Sequence, residues 1–98
     1  MKAYKHLVKL ALSTGLKISV WDGEEWQISK SQDETAINDA IESVEEAQLR
    51  IVDANDKEQG WALVIPFGLE DDETVADMTM TKFMVEWDEG YTGRKLAL

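Results

Sequence analysis

The chain has 98 residues, 44% of them hydrophobic, with twenty acids against ten bases and a formal net charge of −10. That length suits one domain with a core of its own, and the absence of cysteine excludes a disulfide framework and any thiolate metal site. So acidic a balance argues against direct nucleic-acid binding, which rests on concentrated lysine and arginine.

The charge is unevenly distributed. Residues 1–17 hold Lys2, Lys5, Lys9 and Lys17 and no acid, whereas residues 18–93 hold all twenty acids against Lys30, Arg50, Lys57 and Lys82. No run approaches the ~20 apolar residues that cross a bilayer. Lys9 interrupts what would be the apolar core of a signal peptide, so the opening residues read as a helix of the mature protein. With no cysteine in use, the expected compartment is the cytoplasm.

Tyr4, Leu7, Val8 and Ala11 recur at i, i+3, i+4 and i+7, the stripe of an amphipathic helix, and Gly15 stands where such a helix stops. Leu16 to Ile28 alternates as a β-hairpin. A three-residue loop, Trp21-Asp22-Gly23, pairs Ile18 with Trp26 and Leu16 with Ile28, keeps the apolar residues on one face, and sets Trp21 at the tip beside Asp22, Glu24 and Glu25.

A second helix is expected over Asp33–Val44, with Ala36, Ile37, Ala40, Ile41 and Val44 as its apolar stripe. Ser31 and Glu34 have capping-box spacing, which makes Ser31 the expected N-cap. A second strand pair follows, Gln48–Asp53 and Gly60–Pro66, turning through Asn55-Asp56. Its run from Trp61 to Ile65 is apolar on both faces, as in a central strand or one that a partner covers. Glu70-Asp71-Asp72-Glu73 reads as a loop or the opening of a helical turn. Met80, Phe83, Met84 and Trp87 then mark a last helix, which Gly90 and Gly93 should break.

The expected architecture is therefore α+β in the order α-β-β-α-β-β-α: a four-stranded, mainly antiparallel sheet with helices packed on one face. It occupies a single domain over 1–93, followed by a short tail over 94–98. The two ββα stretches echo each other at Leu16-Lys17-Ile18 and Leu49-Arg50-Ile51, at Trp26 and Trp61, and at Asp33-Glu34-Thr35 and Asp72-Glu73-Thr74. An ancestral duplication would give such a sheet.

Two segments, Ile18-Ser19-Val20-Trp21-Asp22-Gly23-Glu24-Glu25-Trp26 and Trp61-Ala62-Leu63-Val64-Ile65-Pro66-Phe67-Gly68, resemble those of small acidic proteins of tailed bacteriophages. The resemblance implies a protein made inside a bacterial cell and acting on a host component. It implies no activity, fold or functional residue.

Catalytic patterns are absent. One histidine, His6, lies among lysines on the first helix, and without cysteine it leaves almost no nucleophile–base arrangement. The six glycines form no phosphate loop. Asp53-Ala54-Asn55-Asp56 opens like a calcium loop, but Lys57 and Val64 fill positions that need ligands, so the segment is a hairpin turn. No catalytic residue, metal or cofactor is expected, and the chain does not read as an enzyme.

Two signals point to protein binding. Acids at expected helix ends, Glu42, Glu45 and Glu46 and then Glu86, Asp88 and Glu89, oppose the helix dipole, so local stability does not explain them. Trp21 at an exposed turn would be an apolar anchor with an acidic rim. The expectation is an acidic interaction module that takes a basic protein partner, a nucleic-acid-binding protein among the candidates, in the manner of a nucleic-acid mimic. Its partner-binding residues would be Trp21, Asp22, Glu24, Glu25, Glu70, Asp71, Asp72 and Glu73. The alternative is a structural homodimer or larger homo-oligomer joined through Leu63–Ile65.

Overall fold

The computed structural model describes the backbone of residues 1–96 and the side chains of residues 1–91. The chain forms α1 (Ala3–Ser13), β1 (Lys17–Trp21), β2 (Trp26–Ser31), α2 (Glu34–Glu42), β3 (Ala47–Val52), β4 (Glu58–Val64), a 3₁₀ turn (Asp71–Glu73), β5 (Val75–Met78) and α3 (Lys82–Leu96). The strands make one antiparallel sheet in the order β2-β1-β3-β4-β5. The α+β class and the antiparallel sheet are as expected, but the sheet has five strands rather than four.

The acidic run forms a 3₁₀ turn at Asp71–Glu73, and the fifth strand follows it in a stretch where the sequence predicts none. Ala62 pairs with Met78 and Val64 with Val75, and the Thr79 amide donates to the Trp61 carbonyl at 3.0 Å. The duplication echo fails at this place. Asp33-Glu34-Thr35 opens α2, whereas Asp72-Glu73-Thr74 closes the 3₁₀ turn and leads into β5.

The core lies between the inner face of the sheet and the helices. Ile18, Val20, Ala47, Leu49, Ile51, Ala62 and Val64 alternate inward along β1, β3 and β4. They meet Tyr4, Leu7, Val8 and Ala11 of α1, Ile37 and Ile41 of α2, and Met84 and Trp87 of α3, so the two helical stripes read from the sequence are the buried ones. Met80 is 75% exposed and precedes α3.

Helix ends follow local chemistry. Gly15, at φ +82, lets the Leu16 amide reach the Ala11 carbonyl at 3.0 Å and its own amide reach that of Leu12, a complete Schellman closure of α1. The N-cap of α2 is Asp33, whose Oδ1 accepts from the Ala36 amide, not Ser31, whose hydroxyl accepts from the Asp33 amide one step earlier. Helix α3 runs through Gly90 and Gly93 to Leu96, since glycine weakens a helix without forbidding it. The break expected there does not occur, residues 94–96 are helical, and the rest of the expected tail lies outside the described residues.

The first hairpin differs from its expected register. Trp21 pairs with Trp26, Val20 with Ile28 and Ile18 with Ser31, with irregularities between these pairs. The loop is Asp22–Glu25, closed by the Asp22 amide donating to the Glu25 carbonyl at 3.1 Å. The partner of Trp26 moves three residues along β1, from Ile18 to Trp21, and an odd shift turns a side chain to the opposite face. Trp26 therefore leaves the core face and joins Trp21 outside.

Candidate protein-interaction site

Strand direction decides which connections meet. β1 ends, β2 starts, β3 starts, β4 ends and β5 starts at the same end of the sheet. The connections 22–25, 43–46 and 65–74 therefore share that end. With strands about 4.8 Å apart, the β1–β2 and β4–β5 connections stand roughly 14 Å from each other, and residues 43–46 enter β3 between them. Asp22, Glu24, Glu25, Glu70, Asp71, Asp72 and Glu73 all fall there, joined by Glu45 and Glu46.

Loop chemistry holds these acids in place. The Asp22 carboxylate accepts from the amides of Glu24 and Glu25, both at 2.7 Å, and from Gln27 Nε2 at 2.6 Å. Those donors, the backbone amides first, hold its carboxyl below the usual range. Asp22 thus organises the hairpin that presents Glu24 and Glu25. On the far side, buried Thr74 accepts from the Tyr4 amide at 3.2 Å and donates to the Asp71 carbonyl at 3.0 Å, which ties the Glu70–Glu73 segment to α1.

The nearest bases are engaged locally. Lys2 Nζ donates to the Pro66 carbonyl at 2.7 Å and lies 4.9 Å from the centre of the Phe67 ring. Lys5 pairs with Glu42 at 3.6 Å, and the buried Tyr4 hydroxyl also donates to Glu42. Burial first, then the Glu42 carboxylate, push the Tyr4 phenol well above its ordinary range. Among the described residues, Glu24, Glu25, Glu45, Glu46, Glu70, Asp71 and Glu73 form no ion pair.

Between the acids lies a cleft of about 410 Å³ bounded by Glu45, Glu46, Ile65, Phe67 and Gly68. Phe67 is 56% and Leu69 42% exposed. The apolar surface inside the acidic end is therefore Phe67 and Leu69, which the sequence reading passed over. The available signal was an apolar-glycine-apolar turn directly before four acids, with Gly68 at φ +86.

Trp21 adjoins the acidic end on the outer face of the sheet. It is the last residue of β1, half-buried, with its ring 4.9 Å from that of Trp26 and edge-on to it. Trp61, on the same face, donates through Nε1 to Gln48 Oε1 at 3.3 Å.

His6 is half-buried between α1 and α3, where its Nδ1 accepts from Trp87 Nε1 at 3.0 Å and its ring meets that of Tyr91. The acids Glu86, Asp88 and Glu89 sit within α3 rather than at its end. Glu45 and Glu46 lie beyond the end of α2, while Glu42, its last residue, is matched by Tyr4 and Lys5. The helix-dipole argument therefore fails for these acids, and their grouping rests on strand order instead. Among the described residues no three histidine or acidic side chains are grouped to hold a metal ion, and no helix is long and apolar enough to cross a membrane. No protein family, curated protein or solved structure matches the chain.

Proposed function

We propose that the chain is an acidic protein-interaction module whose acidic end enters a basic groove of a partner protein. The observation that carries this reading is the convergence of three connections at one end of the sheet, with seven acids there that have no ion-pair partner among the described residues, two of which, Glu45 and Glu46, line the Phe67 cleft. Uncompensated charge of one sign steers an oppositely charged partner and fixes its register, and an apolar centre supplies contact area. Grooves that bind nucleic acid concentrate lysine and arginine, so a nucleic-acid-binding protein suits this surface as target, with mimicry as the mode. The resemblance to tailed-phage proteins fits a target in the bacterial host. The reading assigns the chain no reaction of its own.

The test is capture from bacterial lysate by tagged protein, with the double variant Glu45→Lys/Glu46→Lys and the single variant Phe67→Ala in parallel. The expected result is a basic protein retained at about 50 mM salt, released well below about 500 mM, lost with the charge reversal and weakened by Phe67→Ala. A retained protein indifferent to salt and to the charge reversal would overturn the reading.

A further inference from the structure

The outer face of the sheet holds an apolar cluster separate from the core. Trp21, Trp26, Trp61 and Leu63 belong to β1–β4 yet are absent from the buried cluster and from the residues packed against it, whereas Val52 on the same face is 3% exposed. Register arranges them in rows. Trp26, Trp21, Gln48 and Leu63 form the row nearest the acidic end, followed by Ser19, Arg50 and Trp61, and then by Lys17 with Val52. The described helices pack on the opposite face. Trp26 is 48% exposed, and tryptophan is the side chain most enriched at the centres of interfaces.

Charge along this face is graded. Glu24 and Glu25 stand beside the Trp21–Trp26 row, whereas Lys17, Lys30 and Arg50 stand further down. Lys30 is paired with Asp56 and Arg50 with Glu58, while Lys17 has no ion pair among the described residues. A hollow of about 210 Å³ opens beside Trp26, bounded also by Lys30, Arg50 and Asp56. Lys30 takes φ +48 there, with its amide donating to the Ser19 hydroxyl at 2.8 Å.

We infer that this face is the interface of a homodimer in which two sheets stack with their strands antiparallel, each Trp21–Trp26 pair lying over Lys17 of the other copy. A two-fold operator makes the same contact twice, so a face with Glu24 and Glu25 beside its Trp21–Trp26 row and Lys17, free of any ion pair among the described residues, at the far end is its own complement. Antiparallel stacking sets Glu24 and Glu25 of one copy against Lys17 of the second, and brings that lysine towards indole faces. Parallel stacking would set acid on acid. A purely basic partner would leave Lys17, which has no ion pair among the described residues, facing like charge, which is why the occupant is a second copy. Aligned sheets about 10 Å apart leave room for interdigitated tryptophans. The Phe67 cleft and the Glu70–Glu73 segment lie outside this interface, which shares Glu24 and Glu25 with the acidic-end reading; Trp26→Ser and Leu63→Glu leave every acid in place, so the two readings are tested separately.

The test is sedimentation velocity of the purified full chain from about 5 to 500 µM at about 50 mM salt. The expected result is a reversible species of twice 11.1 kDa. Trp26→Ser and Leu63→Glu should each return it to monomer with an unchanged circular dichroism spectrum, so that lost association is not mistaken for lost folding. Lys17→Glu should weaken the dimer at least about tenfold, and mixing it with Glu24→Lys/Glu25→Lys protein should restore association, which reports the antiparallel arrangement. A monomer throughout the range, or a dimer that Trp26→Ser leaves intact, overturns the inference. So does a monomer that retains a lysate protein through Trp26, because the occupant is then a different protein. Each of these outcomes leaves the salt-sensitive partner of the acidic end to its own test.

Discussion

The amide of Tyr4 in the first turn of α1 is satisfied by the hydroxyl of Thr74, seventy residues away and fully buried. Lys2 occupies the N-cap position of α1 and offers no side-chain cap. The orphan amide of the helix start is therefore met by a residue from the β4–β5 connection. The same hydroxyl donates to the Asp71 carbonyl, so one side chain closes the start of α1 and fixes the acidic segment.

Thr74→Val should therefore cost about 2 kcal/mol, since it buries an unpaired amide in place of a hydrogen bond while keeping the side-chain volume. For a domain of this size that lowers Tm by roughly 10 °C. Hydrogen exchange should rise first at Tyr4 and over residues 70–74. Unchanged exchange there would mean that the segment is held by other contacts.

Gly60 faces the buried Met84 so closely that a Cβ would lie 2.4 Å from its Cγ and 2.7 Å from its Sδ. Gly60→Ala should destabilise the protein by about 1–3 kcal/mol through overpacking where β4 meets α3. Met84→Ala alone leaves a cavity and costs about 2–5 kcal/mol. The double variant should cost less than the sum, because the new methyl enters the space the methionine leaves. Additive losses in thermal melts would show that the two sites do not touch.

What could be read in advance was what depends on one segment alone. The stripes of α1 and α2 carry their own 3.6-residue period, and both are buried as expected. The first hairpin could not be placed in register from alternation, because Lys30 takes φ +48 where sequence reasoning expects glycine and the pairing slips between Ile18 and Trp21. β5 is four residues, two of them exposed, and exists because β4 offers it an edge. The acids were legible one by one. Their convergence was not, since it follows from strand order, and Phe67 and Leu69 were overlooked because exposed apolar residues in a loop leave no periodic trace.

Salt should act on stability and on association in opposite directions. The acids without ion pairs repel one another within the folded chain, and a net charge of −10 adds to that strain. Raising salt from about 20 to 500 mM should therefore raise Tm while it weakens binding at the acidic end. Glu45→Gln/Glu46→Gln should gain about 0.5 kcal/mol at low salt and little at high salt. A Tm that falls with salt would show that the local pairs, such as Lys9–Glu34 at 2.9 Å, outweigh the repulsion.

The pH profile should carry two limbs of opposite sign. The folded Tyr4 phenol holds its proton above the ordinary range, so its contribution is fully present below the unfolded value of about 10 and is lost as pH rises from there. The folded Asp22 carboxyl is held low, so its contribution is present above the unfolded value of about 3.9 and is lost as pH falls through the depressed one. Tyr4→Phe should cost about 1.5 kcal/mol at neutral pH, the worth of a hydrogen bond to a charged acceptor, and should flatten the alkaline limb. Asp22→Asn keeps an acceptor for the Glu24 and Glu25 amides but cannot ionise, and should flatten only the acid limb. Chemical denaturation from about pH 3 to 11 separates the two. An alkaline limb that survives Tyr4→Phe would place the responsible group elsewhere.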